Sequence, residues 1–281
     1  MIQPLIRPYV PWPAILIKDR EKNLVISDLH LGFESELVNM GINLPSQTHK
    51  IESNLIRLLE EARPDRLIIL GDLKHGIPAI SLLERIDLPA FFEKIAEKIP
   101  IELILGNHDG GISRFVKRGV TIRSSRGLLI EGKERIGLFH GHTWPAPKLF
   151  AARYWIVGHT HPAVQFRGLF GFRTIKPVWL RIRIDCEEMA KGFLKHRGIE
   201  IEGDDARKTL SRRFGVKVEC ANMIVMPAFN DMLGGLALNA ITPEELLGPI
   251  LRSPGVDLDT SEVFLTDGTF LGELRELKKF S

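Results

Sequence analysis

Five short apolar runs, each ending at a turn that carries Asp, Asn or His, constrain this chain more than any other feature. The runs are Leu24 to Ile26, Leu67 to Leu70, Ile101 to Leu105, Ile136 to Phe139 and Trp155 to Val157. Each is too short for a helix and rich in Ile, Leu or Val, so each predicts a strand buried on both faces. Helical patterns lie between them. Ile51, Leu55, Leu58, Leu59 and Ala62 share one helical face, with Ser46 as the predicted N-cap and Arg63-Pro64 as the stop. Phe91, Phe92, Ile95 and Ala96 mark a second helix before Pro100. Strand, helix, strand, helix, strand predicts an α/β sheet with crossover connections.

After position 160 the pattern changes. Val178 to Ile184 alternates apolar residues with Arg, which predicts a strand with one solvated face. Met223 to Met226 and Val263 to Leu265 predict further strands, and Asp267-Gly268 predicts the turn of a C-terminal hairpin. Residues 187 to 217 read as helical and charged, a solvated excursion from the fold. Lys and Arg outnumber Asp and Glu there, so the stretch is also a candidate basic flank facing substrate. No internal repeat or low-complexity linker occurs, and 1–281 is expected to form a single domain.

Composition narrows the class. Of 281 residues, 44% are hydrophobic and 26% charged, which excludes a disordered chain. That length buries a sizeable core without metal or disulfide staples. No stretch approaches the ~18 apolar residues of a membrane span, and the proline-rich N-terminus does not read as a signal peptide. Cys186 and Cys220 stand alone, with no CxxC pair, which fits unpaired thiols in a reducing cytoplasm. The balance of 38 basic against 35 acidic residues gives +3, a weak argument for high-affinity binding of a long polyanion.

The chemistry sits in the turns. They read Ser27-Asp28-Leu29-His30, Gly71-Asp72-Leu73-Lys74-His75, Gly106-Asn107-His108-Asp109, His140-Gly141-His142 and Gly158-His159-Thr160-His161. Ligand crevices of open α/β sheets lie beyond the carboxyl ends of strands, so five loops deliver Asp, Asn and His to one place. Imidazole and carboxylate together suit Mn, Fe, Zn or Co. Asp28-x-His30 and His159-x-His161 each offer two ligands, and an extended step between them would send each pair to opposite sides. That suits two adjacent metals, with Asp72 able to bridge them. A lone loop His is ordinarily a surface residue, and a lone Gly-Asp means little. Five such segments in order, each after a strand, are not coincidence.

Together these segments resemble the motif series of the calcineurin-like metallophosphoesterases, D-x-H, G-D, G-N-H-D/E, H and G-H-x-H, over Asp28 to His161. The resemblance implies a four-layer αββα sandwich. It also implies that Asp28, His30, Asp72 and His161 hold one metal, and Asp72, Asn107, His140 and His159 a second. The metals would be divalent, Mn first, with Fe, Zn, Ni or Co as alternatives. His108 would be the catalytic histidine, and Asp109 would pair with it, orient it and favour its protonated form. His142 would sit behind the ligands or face substrate. His75 and Lys74, just after Asp72, are candidate substrate contacts, and Phe229-Asn230-Asp231 is a candidate pocket wall.

Within that family the chain looks most like the archaeal and bacterial phosphoesterases related to ligase-associated DNA-damage-response phosphodiesterases. The implied activity is Mn-dependent phosphodiester hydrolysis, with nucleic acid as a candidate substrate. A dinuclear site activates water and neutralises phosphoryl oxygens, while a protonated His108 donates to the leaving oxygen. Two other readings stand beside it: a phosphomonoesterase acting on a small metabolite or nucleotide, and a metal-binding scaffold without turnover. A long basic groove would favour the nuclease, and a closed pocket capped by 187–217 a small substrate.

Overall fold

The computed structural model describes residues 5–280 apart from 43, 78, 79, 117, 169 and 170. Its first sheet is built from β1 (Leu5–Pro8), β2 (Ile15–Lys18), β3 (Lys22–Ile26), β4 (Arg66–Leu70), β5 (Ile101–Ile104) and β6 (Val120–Arg123), in that spatial order. The first three pair antiparallel, and β3 to β6 run parallel. The second sheet contains β7 (Leu128–Ile130), β8 (Ile136–Phe139), β9 (Tyr154–Val157), β10 (Pro162–Arg167), β11 (Arg173–Arg183), β12 (Asn222–Val225), β13 (Leu236–Ala237), β14 (Glu262–Leu265) and β15 (Phe270–Glu273). Its order is β13-β10-β11-β12-β9-β8-β7, with the β14–β15 hairpin joined to β11. The predicted strands are all present, and β8, β9 and β12 run parallel.

The apolar runs are unbroken because both faces of each strand are covered. Val25, Ile68, Leu70 and Ile104 point inward and meet Ile136, Leu138, Ile156 and Met226 of the facing sheet. Their chain neighbours Leu24, Ile26, Leu67, Ile69 and Leu103 point outward and pack under helices. Those helices are α2 (Thr48–Ala62) and α3 (Leu82–Ala96), which follow the short α1 (Glu34–Asn39). Leu55 and Leu58 of α2 and Phe91 and Phe92 of α3 fill that layer.

The fourth layer comes from α4 (Cys186–His196) and α5 (Ala206–Phe214). The excursion expected at 187–217 therefore does not project. Met189, Phe193 and Leu210 are buried against Trp155, Leu180 and Val225 on the outer face of the second sheet. The stretch looked solvated because each helix is amphipathic and its charges fill the other face.

Two further corrections are local. The N-cap of α2 is Gln47, not Ser46. The Ser46 hydroxyl still accepts the Thr48 N–H at 3.2 Å and donates to Asp87 at 2.7 Å. Cys186 and Cys220 are not unpaired but form a disulfide across 34 residues of sequence, tying the first turn of α4 to the approach to β12.

Candidate metal centre

The turns after β3, β4, β5, β8 and β9 meet at the carboxyl edge shared by the two sheets. Asp28 N–H donates to the Gly71 carbonyl at 3.2 Å, His30 N–H to Asp72 at 2.9 Å and Leu31 N–H to Leu73 at 2.8 Å. The parallel pairing of β3 and β4 is thus carried past the strands into their turns. The turn after β12 joins them, with Phe229 N–H on the Ser27 carbonyl at 2.8 Å and the Asn230 amide on the Leu29 carbonyl at 2.9 Å.

Asp28, His30, Asp72, His159 and His161 all adopt left-handed backbone, with φ between 44° and 69°. A non-glycine residue held there costs of order 1 kcal/mol, and such strain clusters at functional sites. The step from Asp28 to His30 is therefore not extended, and the two side chains do not part. Ligand atoms of Asp28, His30 and His161 lie within 4.8 Å of one another, as do those of Asp72, His140 and His159. His159 and His161 do divide between the two groups. Asp72 faces both: its Oδ2 is 3.6 Å from His30 Nε2 and 3.1 Å from His140 Nε2.

The glycines before these residues leave room that no side chain could share. A Cβ on Gly106 would lie 2.1 Å from Asp72 Oδ1, and one on Gly158 would lie 1.8 Å from Ser27 Oγ and 2.6 Å from Asp28 Oδ2. Close approach of turn to carboxylate is their reason.

His140 rather than His142 sits in the group with Asp72. It is fully buried, and its Nδ1 is 2.6 Å from the Leu70 carbonyl. A carbonyl only accepts, so Nδ1 carries a proton and Nε2 faces the carboxylate. His142 packs beside His140 and His159, at ring separations of 5.2 and 5.9 Å. Asn107 is exposed in the turn between Gly106 and His108. His108 N–H donates to Asp72 Oδ1 at 2.8 Å, which fixes this turn against the ligands.

Two expectations change. Asp109 makes no pair with His108. Its carboxylate accepts Leu73 N–H at 2.9 Å, Lys74 N–H at 3.3 Å and Gly106 N–H at 2.8 Å, stitching the β4 turn to the β5 turn. The partner of the His108 ring is instead the His75 carbonyl, 2.5 Å from Nδ1. Lys74 has no surface with which to meet substrate: it is 1% exposed and its ammonium donates to the Gly76 carbonyl. His75 reaches the cluster, with Nδ1 3.1 Å from His30 Nδ1 and Nε2 2.7 Å from Glu36. Its ligand atoms also group with those of His30 and His108.

Sequence reasoning missed Glu84 and Glu36. Glu84 is buried and accepts His75 N–H at 3.0 Å, Gly76 N–H at 2.6 Å and Ser81 N–H at 2.6 Å. Ser81-x-x-Glu84 is a capping box at the start of α3, a signal present in the sequence. Nothing local marks Glu36.

Electrostatics favour a cation. Burial works against ionising Asp28, but His161 and His140 outweigh it and hold its carboxyl at about 2. Burial likewise opposes ionisation of Asp72, and the neighbouring His140 and His30 still hold it well below the usual range. Burial pushes His30 down to about 3. Burial and the charge of His140 hold His159 and His142 at about 4. Although burial resists it, Asp72 raises His140 to about 9, and Asp28 raises His161. Burial and the Asp72 charge push Asp109 up to about 6. The Nε2 atoms of His30, His140 and His161 are buried without a hydrogen-bond partner. Ionised carboxylates facing unsatisfied imidazole nitrogens are what divalent metals of this ligand class take.

A family model for calcineurin-like phosphoesterases matches residues 22–183, more than half of the chain. Among solved structures, the nuclease MPE of Pseudomonas putida aligns over 96% of this chain and 99% of its own, at 20% identity and a TM-score of 0.51. At that identity the likeness concerns the fold. The phosphoesterase Yfce of E. coli aligns over 52% of this chain and 73% of its own, at 21% identity and a TM-score of 0.34. No curated protein matches the chain in sequence.

Proposed function

The chain belongs to the calcineurin-like phosphoesterase family and is a metal-dependent phosphoester hydrolase; from that premise we propose that it is a manganese phosphodiesterase acting on nucleic acid. The observation that carries the reading is the pair of ligand groups, Asp28/His30/His161 and Asp72/His140/His159, side by side with Asp72 facing both. In this reading Asn107 completes the second group.

When bound, a divalent pair supplies Lewis acidity to the phosphoryl oxygens and an activated water. The remaining work belongs to the chain. His108 lies with Nε2 4.0 Å from Asp72 Oδ2, so it borders the ligands without joining either group. The His75 carbonyl accepts from Nδ1–H and turns Nε2 toward the ligands; only as the imidazolium does His108 carry a second proton, on Nε2, to present to the leaving oxygen. Glu36 and Glu84 hold His75, and so set where that carbonyl stands. Asp109 keeps the two turns in register.

Hydrolysis with added Mn²⁺ tests the reading, comparing bis(p-nitrophenyl) phosphate with p-nitrophenyl phosphate, then single- and double-stranded DNA. Diester turnover with DNA cleavage is expected. Monoester preference without DNA cleavage would replace it with a small-molecule phosphatase. Inertness toward all of them with metal bound would leave a scaffold.

A further inference from the structure

A cavity of about 470 Å³ opens beside the metal centre, with His161 in its wall. That volume falls in the range of small-molecule sites. Trp12, Pro13, Ile175 and Phe229 are among the residues that line it, and Asn54 and Thr266 add polar edges. These residues come from the β1–β2 turn, α2, β11, the β12 turn and the hairpin tip, none of which belongs to the ligand-bearing segments. Trp12 is held from outside: its indole N–H donates to Glu61 at 2.9 Å and the Arg57 guanidinium stands 5.6 Å from the ring centre. Ile175 leaves 45% of its surface in solvent, so that part of the apolar wall is not consumed by packing.

The charge of the wall says what it takes. Among the described residues no Lys or Arg lines it, and the acidic Asp231 there is paired with Lys50 at 2.7 Å. A run of backbone phosphates would need cations along its path, which this wall does not offer. An uncharged planar ring with hydrogen-bonding edges fits an aromatic and proline wall edged by Asn and Thr. Because His161 belongs to the Asp28 group, a phosphoryl group at that metal site would hold one of its ester arms at the cavity.

The geometry points to this cavity as the subsite for the organic arm of the diester, a nucleobase, beside the metal centre. The inference rests on the phosphodiesterase reading and adds that one base, rather than a length of backbone, supplies substrate discrimination. Base stacking on an aromatic wall is worth roughly ten- to a hundredfold in affinity.

Three diesters sharing the p-nitrophenolate leaving group test it, with methyl, phenyl or 5′-thymidyl as the other arm. The leaving group is constant, so differences in kcat/KM report the arm. The phenyl and thymidyl esters should exceed the methyl ester by about tenfold or more. Trp12→Ala should shrink that ratio. Gly234→Phe is a second variant that puts a ring into the cavity, since a Cβ at Gly234 meets nothing within 4 Å. It should bring the ratio close to one, with metal content as in the parent. Saturation-transfer NMR of thymidine with metal-free protein gives a readout independent of turnover, and the signal should vanish in Gly234→Phe. Equal kcat/KM for all arms, with no transfer to thymidine, would overturn the subsite and leave the hydrolase standing. Thymidine binding lost in Gly234→Phe, with no ester cleaved by the metal-loaded protein, would instead uphold the subsite and overturn the diesterase reading.

Discussion

Five of the metal-binding candidates occupy left-handed backbone, so neither two-residue spacing is an extended step. Asp28 and His30 meet in one ligand group, whereas His159 and His161 divide between the two. The same departure would be lost if a bulkier residue displaced the turns. Gly158→Ala should abolish metal binding, measured by calorimetry, because its Cβ would overlap Ser27 and crowd Asp28. His108→Asn should bind metal as the parent does while hydrolysis falls by about 10²–10⁴-fold; metal loss in that variant would make His108 a ligand. Proton linkage offers a third prediction. At pH 7 the metal-free protein keeps a proton on His140, whose pKa is raised to about 9, while Asp28, His30 and His159 are already deprotonated. Loading must displace the His140 proton, so titrating Mn²⁺ at pH 7 should release protons, and affinity should rise from pH 7 toward 9. Calorimetry in buffers of different ionisation enthalpy checks this, and metal uptake without proton release would contradict the assignment of His140.

Between elements, Asp109 is a stitch. Three N–H groups from two turns converge on its carboxylate, and removing the acceptor strands them in the interior. Asp109→Ala should therefore cost about 2–4 kcal/mol in denaturant unfolding. A role in orienting His108 would instead lower kcat with stability unchanged. The disulfide acts on the opposite end of the molecule. Cys220 precedes β12 and the site turn follows it, so the bond closes the α4–α5 layer without touching the ligands. Cys186→Ser with Cys220→Ser should lower stability by about 2–4 kcal/mol and leave Mn²⁺ affinity as in the parent.

At the scale of the whole molecule, two sheets bring their carboxyl edges together, and each supplies part of the site. The first contributes Asp28, His30 and Asp72, and the second His140, His159 and His161. No residue of 187–217 lines the cavity beside His161, because that stretch is spent covering the far face of the second sheet. Net charge is only +3. Electrostatic attraction to DNA should therefore be weak, and KM for DNA should rise only shallowly with salt. A steep dependence would indicate a basic track of many phosphate contacts.

Much of this was legible in sequence because it is local. Apolar runs of four or five residues specify strands buried on both faces, and a ligand turn is readable within a few residues of the run that precedes it. The resemblance to the phosphoesterase motif series added which of those residues group together. Four things depended on contacts between distant parts of the chain. His159 N–H meets Asp28 across 131 residues of sequence. The His75 carbonyl, not a carboxylate, took the His108 ring. Lys74 was drawn inside, and Cys186 met Cys220. The cavity beside His161 belongs to the same class, since Trp12, Asn54, Ile175 and Phe229 share no pattern along the chain. Periodicity and motif report what a segment will do by itself; which segments then face each other is set by the packing of two sheets, and only the folded chain holds that information.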